Sequence, residues 1–271
     1  MMTLIRTEWL KMRKYNAFWW IMGLTLLSYP GINYILYIGY NEMTSQPDQV
    51  GQYLKMGLGN PFAFPEVWHS VAYFSSWFVF IPAVVIIMFI TNEYTFRTHR
   101  QNIIDGWSRR QFITSKLIDV LIVSLIITLL YFFVALISGT LNKPTKPGMW
   151  TQSYYTGLFF LQTFSQLSLA FFTGFLVRKA FLALGIFLFY FLILENFIVG
   201  FLNWKKVPIA SYFPLEVSDK LIPRPGFTSI MDPVAYQKSL DDIPLHVGLT
   251  IVLLIITWAV CYRLHNKRDL K

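Results

Sequence analysis

The stretch that decides the fold runs from Phe78 to Gly139. It reads "FVFIPAVVIIMF" (78–89), "ITNEYTFRTHRQNIIDGWSRRQFITSKL" (90–117) and "IDVLIVSLIITLLYFFVALISG" (118–139). Two apolar runs flank an island that carries Arg97, Arg100, Arg109, Arg110 and Lys116 beside Glu93 and Asp105. An apolar run of about 20 residues is long enough, as a helix rising about 1.5 Å per residue, to cross a hydrocarbon core of about 30 Å. The pattern is therefore span, polar break, span.

The whole chain repeats it. Of 271 residues, 55% are hydrophobic and only 14% charged, against about 25% charged in soluble domains. Six runs are long enough to span: Ala17 to Tyr40, Val71 to Thr91, Phe112 to Gly139, Tyr154 to Val177, Phe181 to Leu202, and Leu245 to Tyr262. They are continuous and lack the two-residue alternation of a barrel strand, so the fold class is an all-α membrane protein, one transmembrane domain over 1–271. The fourth run contains Gln162, Ser165, Gln166 and Ser168, which places it inside the bundle rather than against lipid.

Charge sets the expected orientation. The amino-terminal segment, the quoted island, Arg178–Lys179 and the carboxy-terminal tail hold 15 Lys and Arg, and the opposite loops hold 8 over longer stretches. By the excess of positive charge, the first set faces the cytoplasm with both termini, in a multi-pass inner-membrane topology. The net charge of +9 is then a topology signal and not a nucleic-acid footprint. "MMTLIRTEWLKMRKYNAFWW" sets Met2, Ile5, Trp9 and Met12 on one helical face, so residues 1–16 read as a helix in the cytoplasmic interface. The opposite-side segment 203–244 carries six prolines, and its aromatic content favours short helices folding back on the membrane or a lid. Loops of that length are commonly functional.

Catalytic chemistry is hard to assemble from these residues. The four histidines, His69, His99, His246 and His265, lie at or beyond span ends, and no His pair stands at metalloprotease spacing. Neither a G-x-S-x-G elbow nor a G-x-x-x-x-G-K-[ST] phosphate loop occurs. Cys261 is single, so no intramolecular disulfide forms. The expectation is a non-enzyme that binds no cofactor or metal of its own. Glu195 falls inside the fifth span, where an acid costs about 3 kcal/mol and faces a bundle interior or wet cavity. Glu195, with Asn196 as its hydrogen-bond partner, is the candidate pathway or subunit-interface residue. Asp119 is placed to pair with Lys116 at i,i+3.

The island itself predicts a short helix, since no Gly or Pro interrupts Thr95 to Ile104. Gly106 would end it, and Ser108 would cap the next helix. Segment 92–111 is then a structured cytoplasmic projection rooted at Glu93, which pairs either with Arg97 at i,i+4 or with the amino-terminal helix. Phe96, Ile103 and Ile104 are its candidate apolar anchors for a partner, and Arg97, Arg100 and Gln101 its polar rim.

This segment resembles that of ABC-2-type transporter permeases, which show an acid after the second span, a short helix, then an "SR-x-x-[apolar]-x-x-x-K" run. Glu93, Thr98, Ser108, Arg109, Phe112 and Lys116 match, while "DGWSRR" stands where many members carry a Pro. The layout of interfacial helix, six spans and long outer segment extends the resemblance over the whole chain. It implies a permease that works with a second permease subunit, identical or homologous. It also implies two copies of a separate ABC ATPase subunit that hold ATP and Mg, and a coupling helix after span two that docks on the ATPase. The implied activity is export. The alternative from another class is a scaffold or sensor subunit of a secretion, motility or resistance complex.

Overall fold

A computed structural model describes residues 2–45, 59–104, 106–142, 148–226 and 232–267, without the side chains of residues 2–5 and 267. Residues 46–58, within the segment before Trp68, lie outside these residues. The helices are α1 (Met2–Lys14), α2 (Asn16–Thr44), α3 (Val67–Ser76), α4 (Phe80–Thr95), α5 (Thr98–Ile104), α6 (Arg109–Leu141), α7 (Tyr155–Val177), α8 (Ala180–Trp204), α9 (Pro214–Asp219), α10 (Pro233–Asp241) and α11 (Ile243–Lys267). Among the described residues there is no strand.

Five helices, α2, α6, α7, α8 and α11, are long and apolar enough to cross a membrane, and α3 with α4 makes a sixth if the bent pair is one span. The expected second span, Val71 to Thr91, is thus not one straight helix: α3 and α4 meet at a bend of 50°. Pro82 supplies the reason. A proline cannot donate to the carbonyl four residues back and its ring collides with it. That carbonyl belongs to Phe78 and accepts instead from Ile81 N at 3.0 Å, which tightens the chain into a corner.

α7 is the central post, packed against α3, α4, α6, α8, α9 and α11. Its polar side chains behave as their sequence position required: Gln162, Ser165, Gln166 and Ser168 are all buried. Phe159, Phe171 and Phe175 fill the gaps around them, with Phe171 stacked on Trp258 of α11 at 4.9 Å. Gly139 of α6 leaves the space that the buried Phe64 ring occupies, so close that a Cβ there would collide with it. At the end of the bundle that carries α1 and the last turn of α11, the Arg109 guanidinium donates to Asn266 O at 2.7 Å and Thr114 meets the Tyr262 hydroxyl at 2.8 Å. At the far end Trp68 donates to Met149 O at 2.8 Å and His69 contacts Pro223 O at 2.7 Å.

The far-end segment after α8 folds back onto the bundle. A 3-10 turn (Pro208–Tyr212) and α9 bury Ala210, Leu215, Val217, Leu221 and Ile222. Each element starts with a proline in its first turn, a position where the missing N–H costs nothing.

Candidate functional site

At the terminal end, three helices converge on one ionic cluster. The Lys116 ammonium of α6 lies 2.7 Å from Glu8 of α1, 2.9 Å from Glu93 of α4 and 3.2 Å from Asp119. Lys11 of α1 reaches Glu8 at 3.0 Å and Glu93 at 2.9 Å. Burial pushes the Glu8 carboxyl up, but Lys116 and Lys11 outweigh it and hold the carboxyl below its usual value. Of Glu93's two expected partners, the cluster contains the amino-terminal helix and not Arg97. The i,i+3 pairing of Asp119 with Lys116 is present.

Glu93 is also the root of the projection. Its second carboxylate oxygen accepts from Thr98 at 3.0 Å and from Asn102 at 3.4 Å, and its carbonyl contacts His99 Nδ1 at 3.0 Å. One side chain therefore ties α1 and α6 to α5. The chain turns from α4 into α5 through Arg97, whose φ of 56° is left-handed, so the helix begins at Thr98 and not at Thr95. Gly106, at φ 97°, follows it. Ser108 then opens α6 with a capping box: its hydroxyl accepts from Gln111 N at 3.2 Å, and Gln111 Oε1 accepts from Ser108 N at 2.7 Å.

The expected anchors divide. Phe96 is 72% exposed and Ile104 77% exposed, so both are presented outward. Ile103 is half-buried, turned partly into the protein rather than away from it. Arg97 and Gln101 are exposed, and Arg100 is half-buried. In α1 the buried face carries Glu8 and Met12 while Trp9 is 39% exposed. Of the expected stripe, Met12 is buried and Trp9 is partly exposed, so Met12 and the ionic cluster together seat this helix; the Met2 and Ile5 side chains lie outside the described residues.

The far end holds a second polar site. Glu195 is 2% exposed, and its Oε1 accepts from Leu215 N and Glu216 N, both at 2.7 Å. It thus satisfies the first N–H groups of α9, which has no side-chain cap of its own and would otherwise bury orphan donors. Asn196 is not its partner, contrary to the sequence expectation. The π turn Tyr190–Leu194 precedes Glu195, and the Asn196 amide turns back to Phe191 O at 3.0 Å and Leu192 O at 3.2 Å. Opposite Glu195, Asp219 Oδ1 accepts from Gln162 at 2.8 Å and Gln166 at 2.7 Å. A cleft of about 310 Å³ lies between α3, α8 and α9, lined in part by Tyr73, Trp77, Phe191, Glu195, Glu216 and Asp219. Asp219 is open to this cleft, yet enough protein surrounds it that burial pushes its carboxyl up to about 7, against the two glutamine bonds.

Sequence reasoning missed Glu8, Lys11 and Asp219. The signal for Asp219 was Gln162 and Gln166, two amides at i,i+4 that needed a polar group facing them. Among the described residues no three His, Cys, Asp or Glu side chains converge to hold a metal.

Residues 32–271 match the family described as "Protein of unknown function (DUF2705)", and the chain belongs to that family. No curated protein matches the chain.

Proposed function

We propose that the chain is the permease subunit of an ATP-driven ABC transporter, an exporter in which α5 is the coupling helix. In this reading both termini are cytoplasmic, two permease subunits pair, and each α5 docks on a separate ATPase. One observation carries it. A seven-residue helix stands at the terminal end, rooted in a buried ionic cluster while Phe96 and Ile104 face outward. Exposed apolar side chains on a braced projection are what a small interface needs as anchors. A loop that only set topology would have no use for the brace.

Detergent extraction followed by capture of the intact chain tests the reading. The expected result is co-recovery of an ATP-hydrolysing subunit. Ile104→Asp places a charge at a surface anchor and is expected to lower that recovery at least tenfold. Because Ile104 is exposed, the melting temperature should stay within about 2 °C, as surface substitutions cost about 0.5 kcal/mol or less. Recovery of the wild-type chain without an ATPase overturns the proposal.

A further inference from the structure

We propose that the far-end cleft binds an organic ammonium group, held between the Glu195 and Asp219 carboxyls against the aromatic wall of Tyr73, Trp77 and Phe191.

Three carboxylates line the cleft, Glu195, Glu216 and Asp219, and the nearby Arg224 is engaged with Tyr73 and Glu216. Glu195 Oε2 is buried without a hydrogen-bond partner. The Tyr190 phenol interacts with the carboxyl as a side-chain hydrogen-bonding neighbour, but its geometry leaves Oε2 without a well-formed bond. The carbonyl oxygens of Gln162 and Gln166, whose amides hold Asp219, are likewise buried and unpartnered. A buried polar atom left unmade costs about 1–3 kcal/mol, so several in one place mark somewhere a donor belongs. Of the three cleft acids, Glu216 has Lys220 at 3.7 Å and Arg224 nearby. Glu195 accepts from two backbone amides and has the neutral Tyr190 phenol beside it, and Asp219 accepts from two glutamine amides, so neither carries an ion pair among the described residues. The missing partner is therefore a cation that donates hydrogen bonds.

The walls narrow the chemistry further. Tyr73 and Trp77 sit with ring centroids 5.6 Å apart, and aromatic faces attract ammonium ions by about 0.5–2 kcal/mol. No three metal-ligating side chains converge among the described residues, which favours an organic cation over a metal ion. The volume suits a small amine or the amine-bearing end of a larger molecule, since ligand pockets run from about 300 Å³ upward. The bend between α3 and α4 and the π turn of α8 both border the cleft. Irregular backbone at membrane depth is tolerated where it lines a cavity. Trp77 and Asn196 are exposed at its margin, so the cleft is open there, and the ammonium can come from a soluble amine or from a lipid headgroup.

The full chain in phosphatidylglycerol nanodiscs, titrated calorimetrically at pH 8, tests this with 2-phenylethylammonium, 2-phenylethanol, 3-phenylpropionate and sodium. The ammonium is expected to bind at least tenfold more tightly than the alcohol, with no binding of the carboxylate. Asp219→Asn is expected to weaken the ammonium at least tenfold. Trp77→Ala, at an exposed position, is expected to weaken it about threefold or more without touching the carboxyls. Nanodiscs containing phosphatidylethanolamine distinguish the source: a weaker apparent affinity there identifies the lipid ammonium as the occupant. Equal binding of ammonium and alcohol, an unchanged affinity in Asp219→Asn, displacement by millimolar sodium, or no saturable binding each overturns the assignment. The assignment rests on the permease reading only for calling the amine a substrate. No ATPase is present in the titration, so lost ATPase capture with intact ammonium binding overturns that reading alone.

Discussion

Removing the Lys116 ammonium should be the most damaging single change at the terminal end. Lys116→Met keeps the length and apolar volume of the stem but deletes the charge. The side chain is 3% exposed, and its three partners are 2%, 6% and 4% exposed, so water cannot replace what is lost. Breaking a buried ion pair by removing one partner costs about 3–5 kcal/mol, because the remaining charge stays desolvated. Here three carboxyls would face Lys11 alone. Lys11→Met is the internal comparison. Lys11 touches two of the same acids but is 36% exposed, and exposed pairs are worth about 0–1 kcal/mol. At about 2–4 °C per kcal/mol for a chain of this size, Lys116→Met should lower the melting temperature by roughly 10 °C and Lys11→Met by no more than about 4 °C. Thermal unfolding in detergent or nanodiscs reads both. The reasoning fails if Lys116→Met melts within 2 °C of the wild type, or if the two substitutions cost the same.

Asp219 gives a pH test at the far end. Its carboxyl is raised from 3.8 to about 7, first by burial and further by Glu216 and Glu195, with Gln162 and Gln166 opposing. A raised acid favours the protonated folded state, so its contribution to stability is complete below about pH 4 and is lost as pH rises through about 7. The melting temperature should fall between pH 6 and 8 in the wild type but not in Asp219→Asn, and equal slopes would refute the assignment of that titration. Pro82→Ala restores a donor to the Phe78 carbonyl and should straighten the α3–α4 corner, lowering ammonium affinity at least tenfold while ATPase capture is unchanged; an intact affinity would show that the corner does not shape the cleft.

How much of this was legible varies with sequence distance. The spans were legible because each is a local apolar run, and the burial of α7 because Gln162, Ser165, Gln166 and Ser168 cannot face lipid cheaply. The Ser108 cap was legible because a Ser directly before a helical run can accept from its first N–H groups; its reciprocal partner Gln111 was not read. Glu8 was not, since its partner Lys116 is 108 residues away and a lone acid in a basic leader looks solvated. The 50° corner carried a local signal in Pro82 that an apolar count passes over. The π turn Tyr190–Leu194 had no such signal, because its five residues are as apolar as their neighbours. The Asn196 amide, turned back to Phe191 O and Leu192 O, adds donors to the turn, the kind of support irregular backbone needs in a low-dielectric setting.

The corner also decides how the two polar sites relate. α4 is the element they share: its last turn carries Glu93, and the corner at its start, which contains Trp77, joins it to Tyr73 of α3. Between these ends α4 is an apolar helix packed along α7, where Gly174 lets Ile87 and Ile90 approach the α7 backbone closely. Close packing without voids resists bending, so a displacement of Glu93 is carried along α4 as a rigid body and not absorbed within it. It reaches the corner, where Pro82 has already removed a helical hydrogen bond and where relative rotation costs least. The ionic cluster makes such a displacement expensive unless α1 and α6 move with it, because Glu93 would leave both Lys11 and Lys116. If α5 is the coupling helix proposed above, a force applied there is expected to reach the cleft wall along α4 only when α1 and α6 travel with it, since Lys11 and Lys116 both hold Glu93.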